Sequence, residues 1–178
     1  MSDADLNSIN LALLALRCGV GAVMLAHGIN HIYGGGKIAG TGRWFASLGM
    51  KPGIVHAWLA SLTEVGGGTL LVLGLLTPLA GAAVIGVMLV AIITNHRGNG
   101  FFIFRPGEGW EYVMTLTIVG LAIAVVGPGK WSLDEALDIR LVWIGATGLA
   151  VAVIAGGGGA AALLAGFWRP EPKEPKPD

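Results

Sequence analysis

The chain has 178 residues, of which 54% are hydrophobic and only 12% are charged, and its mean hydropathy is +0.72. These values exclude an ordinary soluble domain and indicate an integral membrane protein. The formal net charge is zero, so the overall charge gives no reason to expect binding to nucleic acid. Apolar segments take up most of the chain and leave no room for a second folded domain. We therefore expect one all-α, polytopic transmembrane helical bundle embedded in a lipid bilayer.

Five apolar segments are long enough to cross, or nearly cross, a bilayer. At about 1.5 Å per residue they approach the roughly 30 Å thickness of a hydrocarbon core. In chain order the predicted helices are 10–29, 57–76, 78–96, 110–126 and 141–167. The first four form a four-helix membrane core within 1–138, and the fifth is an additional C-terminal transmembrane helix within 139–168. Residues 169–178 alternate proline with charge and are predicted to be a disordered, proline-rich tail.

The boundary between the second and third predicted helices is marked by Thr77 followed by Pro78. Threonine is a common N-cap residue, and proline is common in the first turn of a helix. We therefore predict a tight antiparallel hairpin, with Thr77 as the cap and with the two helices packed against each other.

The distribution of basic residues predicts the orientation of the bundle. With five helices, the first loop, the third loop and the tail lie on one side of the membrane, and they carry Lys37, Arg43, Lys51, Arg97, Arg105, Arg169, Lys173 and Lys176. The other side carries only Lys130 and Arg140. Because basic loops stay in the cytoplasm, we predict an outside N-terminus and a cytoplasmic C-terminus.

Two charged residues lie deep within the predicted helices, Arg17 in the first and Glu64 in the second. A charge at the centre of a bilayer costs from about 2.5 kcal/mol upward, so such residues normally face the interior of the bundle and pair. Counted along the helices, the two backbones differ in depth by roughly 9 Å, which an arginine side chain can largely bridge. We predict a structural ion pair between Arg17 and Glu64. The alternative is a functional role for these two residues.

Histidines and a further acid gather near one end of the predicted bundle. His27 and His31 are four residues apart, one helical turn, where the first helix leaves the apolar region. The third helix ends at His96 and the fourth begins near Glu111, so antiparallel packing brings both to the same level. We predict one polar cluster of these four side chains. The alternative is structural, because histidine tolerates a helix end and an acid in a first turn favours the helix dipole.

The same histidines raise the question of a metal or haem. His27 and His31 can both reach one ion, and His96 can supply a third ligand from another helix. Haem needs only two facing histidines on different helices, such as His27 and His96. Histidine pairs with this spacing also arise as plain helix-end residues, and a glycine-rich bundle leaves little room for haem. We therefore disfavour haem and predict no metal site.

The order and spacing of several segments resemble the DoxX family of small bacterial membrane proteins. Together with the arginine of the first helix, these segments are HGINHIYGGGK, SLTEVGGGTLLVLGLLTPLAG, GNGFFIFRPGEGWEYV and VVGPGKWSLDEAL. The resemblance covers residues 11–138 and implies a four-helix core in a bacterial cytoplasmic membrane. It also implies an association with redox systems, since some relatives are subunits of a thiosulfate:quinone oxidoreductase and others are linked to oxidative-stress complexes.

The polar positions that match the family pattern are Arg17, His27, Glu64 and Glu111, with the loop signature at 127–129. His31, His96, the fifth helix and the proline-rich tail look like departures or additions. Many members of the family have no established activity, so the resemblance leaves open whether this chain is an enzyme.

Three functions remain open. The first is a redox-associated subunit that binds a quinone, with His27, Glu64 and Glu111 as candidates for a catalytic role. The residues expected to surround the quinone are His27, His31, His96, Phe101 and Phe102. The second is a noncatalytic accessory or anchoring subunit, and the third is a small-solute or proton pathway. Since no sequence feature supplies an electron donor, we expect other subunits of a membrane complex, or further copies of this chain, as partners.

Overall fold

The computed structural model describes residues 2–170, and residues 171–178 of the predicted tail lie outside the described residues. In chain order the helices of the described part are α1 (Asp3–Tyr33), α2 (Lys37–Ser47), α3 (Gly53–Leu73), α4 (Thr77–Asn99), α5 (Glu111–Val126), α6 (Leu133–Ala136) and α7 (Ala146–Phe167). Helix α4 is regular over Thr77–Ala91, forms a π-helical turn at Ile92–His96 and ends as a 3₁₀ turn at Arg97–Asn99. Helix α7 contains a π-helical stretch at Ala152–Gly158. Since no strand forms between residues 2 and 170, the predicted all-α class is confirmed.

The lengths and compositions of the helices agree with a membrane bundle. Helices α1, α4 and α7 are both long enough and apolar enough to cross a bilayer, and α5 is a shorter apolar helix of 16 residues. Helix α3 has 21 residues and, at about 1.5 Å per residue, is also long enough to cross. It begins at Gly53, four residues before the predicted start at Ala57. This earlier start brings His56 into the helix.

Helices α1 and α3 approach each other closely through two glycines. A Cβ atom added to Gly21 would lie 2.8 Å from the carbonyl oxygen of Gly68, and one added to Gly68 would lie 2.8 Å from the carbonyl oxygen of Gly21. Small residues of this kind allow helix backbones to pack in lipid, where the hydrophobic effect does not drive association. The crossing turns one face of α1 towards the bundle, and Arg17, Met24 and Gly28 are buried on that face.

The first connection was predicted to be a loop, but it contains the amphipathic helix α2. Phe45 on this helix is buried and forms a small core with Met50 and Ala57. The end of α7 packs on the same region, because Trp168 Nε1 donates a hydrogen bond to the carbonyl of Leu48 at 3.0 Å. The connection between α2 and α3 therefore holds the C-terminal end of the last helix.

The bundle has two ends that differ in their polar residues. We call the histidine end the one at which α1 and α4 finish and α3 begins, marked by His31, His56 and His96. We call the arginine end the opposite one, marked by Arg17 and Asp134. The connection between α5 and α6 closes the arginine end, where the backbone N–H of residue 130 donates to Asn10 Oδ1 at 2.9 Å.

Candidate ligand-binding site

Arg17 is fully buried, but it does not form the predicted ion pair with Glu64, so that prediction is wrong. Its Nη1 donates hydrogen bonds to the carbonyls of Leu71 at 3.0 Å and Val72 at 3.3 Å, and its Nη2 donates to the carbonyl of Trp131 at 2.6 Å. The last carbonyls of a helix lack the usual i+4 donor; that of Leu71 accepts from the backbone N–H of Gly74 at 3.1 Å as well as from Arg17. Arg17 therefore ties α1 to the end of α3 and to the connection before α6.

Asp134 is the acid that accompanies Arg17 at the arginine end. It is fully buried, and its carboxylate attracts the Arg17 guanidinium through space. Asp134 Oδ1 accepts from the backbone N–H of Leu76 at 2.7 Å, and Oδ2 accepts from the N–H of Thr77 at 3.0 Å and from its hydroxyl at 2.7 Å. Thr77 is thus not the cap that its sequence position suggested. The start of α4 is capped by a carboxylate from another element.

Glu64 has a different neighbour, His31, at the histidine end. Glu64 is 4% exposed, and its Oε2 lies 3.0 Å from His31 Nδ1. The two atoms are not aligned as a hydrogen bond, so neither has a hydrogen-bond partner despite the short distance. His31 also lies beside the rings of Trp44 and Phe45, with centroids 6.3 Å and 6.2 Å away. A histidine and a carboxylate from two helices therefore meet under the aromatic cover of α2.

His56 is a buried histidine that the sequence interpretation missed. It is 3% exposed, and neither of its ring nitrogens has a hydrogen-bond partner. The ring of Phe167, at the end of α7, packs edge-on against it at 5.1 Å. His56 precedes Glu64 by eight residues, a little more than two helical turns, and both residues line the same cavity. That spacing was a usable signal, but His56 falls just outside the predicted helix.

His96 has a partner for each ring nitrogen. Nδ1 lies 3.0 Å from the carbonyl oxygen of Glu108, and Nε2 lies 3.3 Å from Asn95 Nδ2. Since a carbonyl oxygen can only accept, Nδ1 carries the proton and donates it, while Nε2 accepts from the amide. These contacts hold the neutral tautomer of His96 and fix the end of α4 to the loop before α5.

One cavity of about 550 Å³ joins these groups within the histidine end. All four histidines of the chain line it, together with Glu64. The remaining wall is mostly apolar and comes from α1 to α5 and α7, with Met24, Val87, Leu116 and Leu163 among the lining side chains. The cavity therefore combines a large apolar volume with a few buried polar atoms, which is the usual character of a small-molecule site.

The other predicted site residues lie at or beyond the rim. His27 is exposed on α1 but still lines the cavity. Glu111 is half-buried in the first turn of α5 and is not among the residues lining the cavity. Phe101 and Phe102 are exposed, and they pack on each other with centroids 5.3 Å apart. The three predicted histidines thus line one cavity, whereas Glu111 and the two phenylalanines are not part of its wall.

The polar side chains around the cavity can form hydrogen bonds with a ligand and can exchange protons with it. Within the described residues, no three histidine, cysteine, aspartate or glutamate side chains converge as a metal-binding group. Imidazole and carboxylate groups can instead donate hydrogen bonds to a ligand or accept its protons. A buried, unpartnered polar atom costs free energy, so a cavity lined by several of them favours a ligand that completes their hydrogen bonds.

Comparison with known proteins identifies the group to which the chain belongs. The DoxX family model matches residues 12–97, from α1 to α4. An uncharacterised membrane protein from Mycobacterium tuberculosis is 31% identical over 145 residues, which cover 76% of this chain and 86% of the relative. The chain belongs to the DoxX family. No solved structure matches it. The matched residues of this DoxX protein include Arg17, all four histidines and Glu64, whereas Asp134 lies beyond the matched region.

Proposed function

We propose that this DoxX protein binds a quinone in the cavity at the histidine end and exchanges protons with it as the membrane subunit of a redox system. The observation that carries the proposal is His56, which is buried on the cavity wall with both ring nitrogens unpartnered. A bound molecule with a hydrogen-bonding oxygen would give this imidazole the partner that the protein does not supply.

The cavity fits the chemical requirements of a quinone. Its volume of about 550 Å³ falls within the roughly 300–1,000 Å³ typical of small-molecule sites. Aliphatic side chains such as Met24 and Leu116 suit an apolar ring and the start of an isoprenoid tail. The polar side chains of His56 and Glu64 suit the two carbonyl oxygens. When bound, a quinone supplies the capacity to accept two electrons and two protons.

The residues of the chain would take distinct roles around that ligand. His56, held by α3 and the ring of Phe167, would donate a hydrogen bond to one ligand oxygen. Glu64 would hold a proton near a ligand oxygen, because its Oε2 is buried and has no aligned hydrogen-bond partner. The apolar wall would exclude water and orient the ring. The electrons would come from a partner protein with a redox cofactor, as the family association with quinone-linked complexes implies.

We also propose that the histidine end faces the cytoplasm of a bacterium. Lys37, Arg43, Arg97 and Arg105 belong to the connections at this end, which favours the cytoplasmic side. In a Cys18→Ser background, a cysteine at Lys130 should react with an external, impermeant thiol reagent and a cysteine at Arg105 should not. The opposite labelling pattern would reverse the assignment.

The binding proposal can be tested by extracting the protein from its own membrane and measuring the quinone that accompanies it. Wild-type protein should retain a quinone after purification. Ala60→Phe should lose it, because Ala60 lines the cavity and a phenylalanine ring would fill part of that space. The matched control is Gly66→Ala on the same helix, since a Cβ atom there meets no neighbour within 4 Å.

The control should keep the quinone content of the wild type. Equal quinone content in Ala60→Phe and wild type would place the quinone outside the cavity and contradict the proposal. A protein partner that copurifies without any quinone would support the accessory-subunit alternative.

A further inference from the structure

His31 borders two separate spaces at the histidine end. One is the large cavity, and the other is a surface groove of about 350 Å³ at the turn between α1 and α2. The groove is lined by Asn30, the glycines at 34–36, Gly40 and Thr41. Asn30, Gly35 and Gly36 are exposed, so the groove opens to the surface of the bundle. The imidazole of His31 thus lies between that surface and the cavity.

The other side of His31 meets the buried acid of the cavity. Its Nδ1 lies 3.0 Å from Glu64 Oε2, and the Glu64 side chain is only 5% exposed. Glu64 does not line the groove, whereas His31 lines both spaces. A proton from water in the groove therefore meets the imidazole before it meets the carboxylate.

We propose that His31 and Glu64 form a proton relay from water in the groove to the cavity. This role rests on the proposed function for the identity of the final proton acceptor, but its test does not require that ligand. The imidazole takes a proton from hydronium in the groove at one ring nitrogen, which leaves water, and gives the proton on Nδ1 to the Glu64 carboxylate. The carboxylate becomes a carboxylic acid, and the imidazole stays neutral with its proton on the other nitrogen. The step transfers a proton and involves no electron transfer.

The other histidines lack this arrangement. His96 has both ring nitrogens engaged, by Glu108 and Asn95, and His56 lines the cavity without lining the groove. His27 lines the cavity one helical turn before His31, but it does not line the groove.

The ionisable side chains near His31 come from α3, from α2 and from its own helix α1. Glu64 faces it from α3, and His27 precedes it by one turn on α1. From α2, the Arg43 guanidinium lies about 3.5 Å from the position that a Cβ atom on Gly36 would occupy, which places it beside the groove. The hydroxyl of Thr41 donates to the carbonyl of His31 at 2.8 Å and fixes the start of the turn.

The relay can be tested by infrared spectroscopy after a rapid downward step in pH. The carboxylic acid band of Glu64, assigned with Glu64→Gln, reports the rate at which this residue is protonated. His31→Gln should slow that rate by at least about tenfold, the low end of what a positioned proton-transfer group contributes. Added imidazole should restore part of the rate, because a small base can occupy the groove.

A second variant tests the path without altering the imidazole. Gly40→Leu should narrow the groove, since the only neighbour within 4 Å of a Cβ atom there is the Arg43 guanidinium at 3.7 Å. It should slow the protonation of Glu64, while Ala39→Leu, an exposed position outside the groove, should not. An unchanged rate in both His31→Gln and Gly40→Leu would overturn the relay.

The two proposals fail in different ways. If no quinone copurifies with the wild-type protein, the proposed function fails while the protonation rates still decide the relay. If Ala60→Phe loses its quinone but His31→Gln protonates Glu64 as fast as the wild type, the quinone site stands and the relay is wrong.

Discussion

The two ends of the bundle bury ionisable side chains to nearly the same extent but differ in the hydrogen bonds that these side chains form. Arg17 and Asp134 at the arginine end are both 0% exposed, and His56 and Glu64 at the histidine end are 3% and 4% exposed. Arg17 donates three hydrogen bonds and Asp134 accepts three. Both nitrogens of His56 and one oxygen of Glu64 have no hydrogen-bond partner, and these two residues line the cavity. Arg17 Nε also has no partner, but Arg17 does not line the cavity.

This difference separates a structural role from a binding role. Burying a charged group is tolerable when its hydrogen bonds are completed by the protein, as they are for Asp134. Leaving a buried polar atom without a hydrogen-bond partner costs about 1–3 kcal/mol. At the histidine end, no neighbouring protein group supplies the missing hydrogen bonds. Unpartnered atoms that line a cavity are therefore better explained by a ligand than by stability of the fold.

The largest expected effect is at the arginine end. Arg17→Met should destabilise the protein by about 3–5 kcal/mol, because it removes the charge that faces Asp134 and three hydrogen bonds to backbone carbonyls. The measurement is thermal unfolding of the detergent-extracted protein. Arg43→Met, at an exposed arginine on α2, is the control and should stay close to the wild type. Equal stability of the two variants would show that Arg17 does not hold this end together.

A smaller effect is expected at the glycine beside Arg17. Gly74 ends α3 with φ of 63°, a left-handed conformation in which a side chain is strained. A Cβ atom there would also collide with the Arg17 guanidinium and with Ser132. Gly74→Ala should therefore cost about 1–3 kcal/mol in the same unfolding experiment. Gly145→Ala is a matched control, because Gly145 has φ of 64° but a Cβ atom there meets no neighbour. A loss as small as that of the control would contradict the tight packing around Arg17.

The smallest effect on stability is expected at the histidine end. Glu64→Gln keeps the shape of the side chain and removes a charge whose Oε2 has no aligned hydrogen-bond partner. We expect its unfolding free energy to stay within about 1 kcal/mol of the wild type, because no hydrogen bond at that atom is lost. A loss as large as that of Arg17→Met would mean that Glu64 is structural, which would remove the contrast between the two ends.

Much of the fold could be predicted from the sequence because lipid restricts backbone geometry. The long apolar segments ending at Val126 and Phe167 correspond to helices, since only helices satisfy their own backbone hydrogen bonds in this environment. Helix α2 was missed because its glycines lower helix propensity and its charges resemble those of a loop. Its burial of Phe45 against Met50 and Ala57 overrides that local preference.

Less of the candidate site than of the fold could be predicted from the sequence. His27, His31 and His96 lie near the ends of predicted helices and all line the cavity, and their role in binding stays a prediction. The partner of Arg17 could not be found by pairing charges, because its hydrogen-bond acceptors are backbone carbonyls, and these have no identity in a sequence. Glu64 then paired with a histidine that lies nearer to it in depth. His56 was missed because the predicted helix began at Ala57, four residues after the start of α3 and one residue after His56.

The comparison between the two ends is tested most directly by unfolding His56→Leu with and without a short-tailed quinone. Wild-type protein should gain about 2.7 kcal/mol at a free quinone concentration of one hundred times the Kd. His56→Leu should be as stable as the wild type or more stable without quinone, because leucine removes two unpartnered polar atoms from the interior. It should gain little when the quinone is added. A variant that unfolds as readily as Arg17→Met, or that keeps the full gain with quinone, would contradict the assignment of His56 to a ligand site.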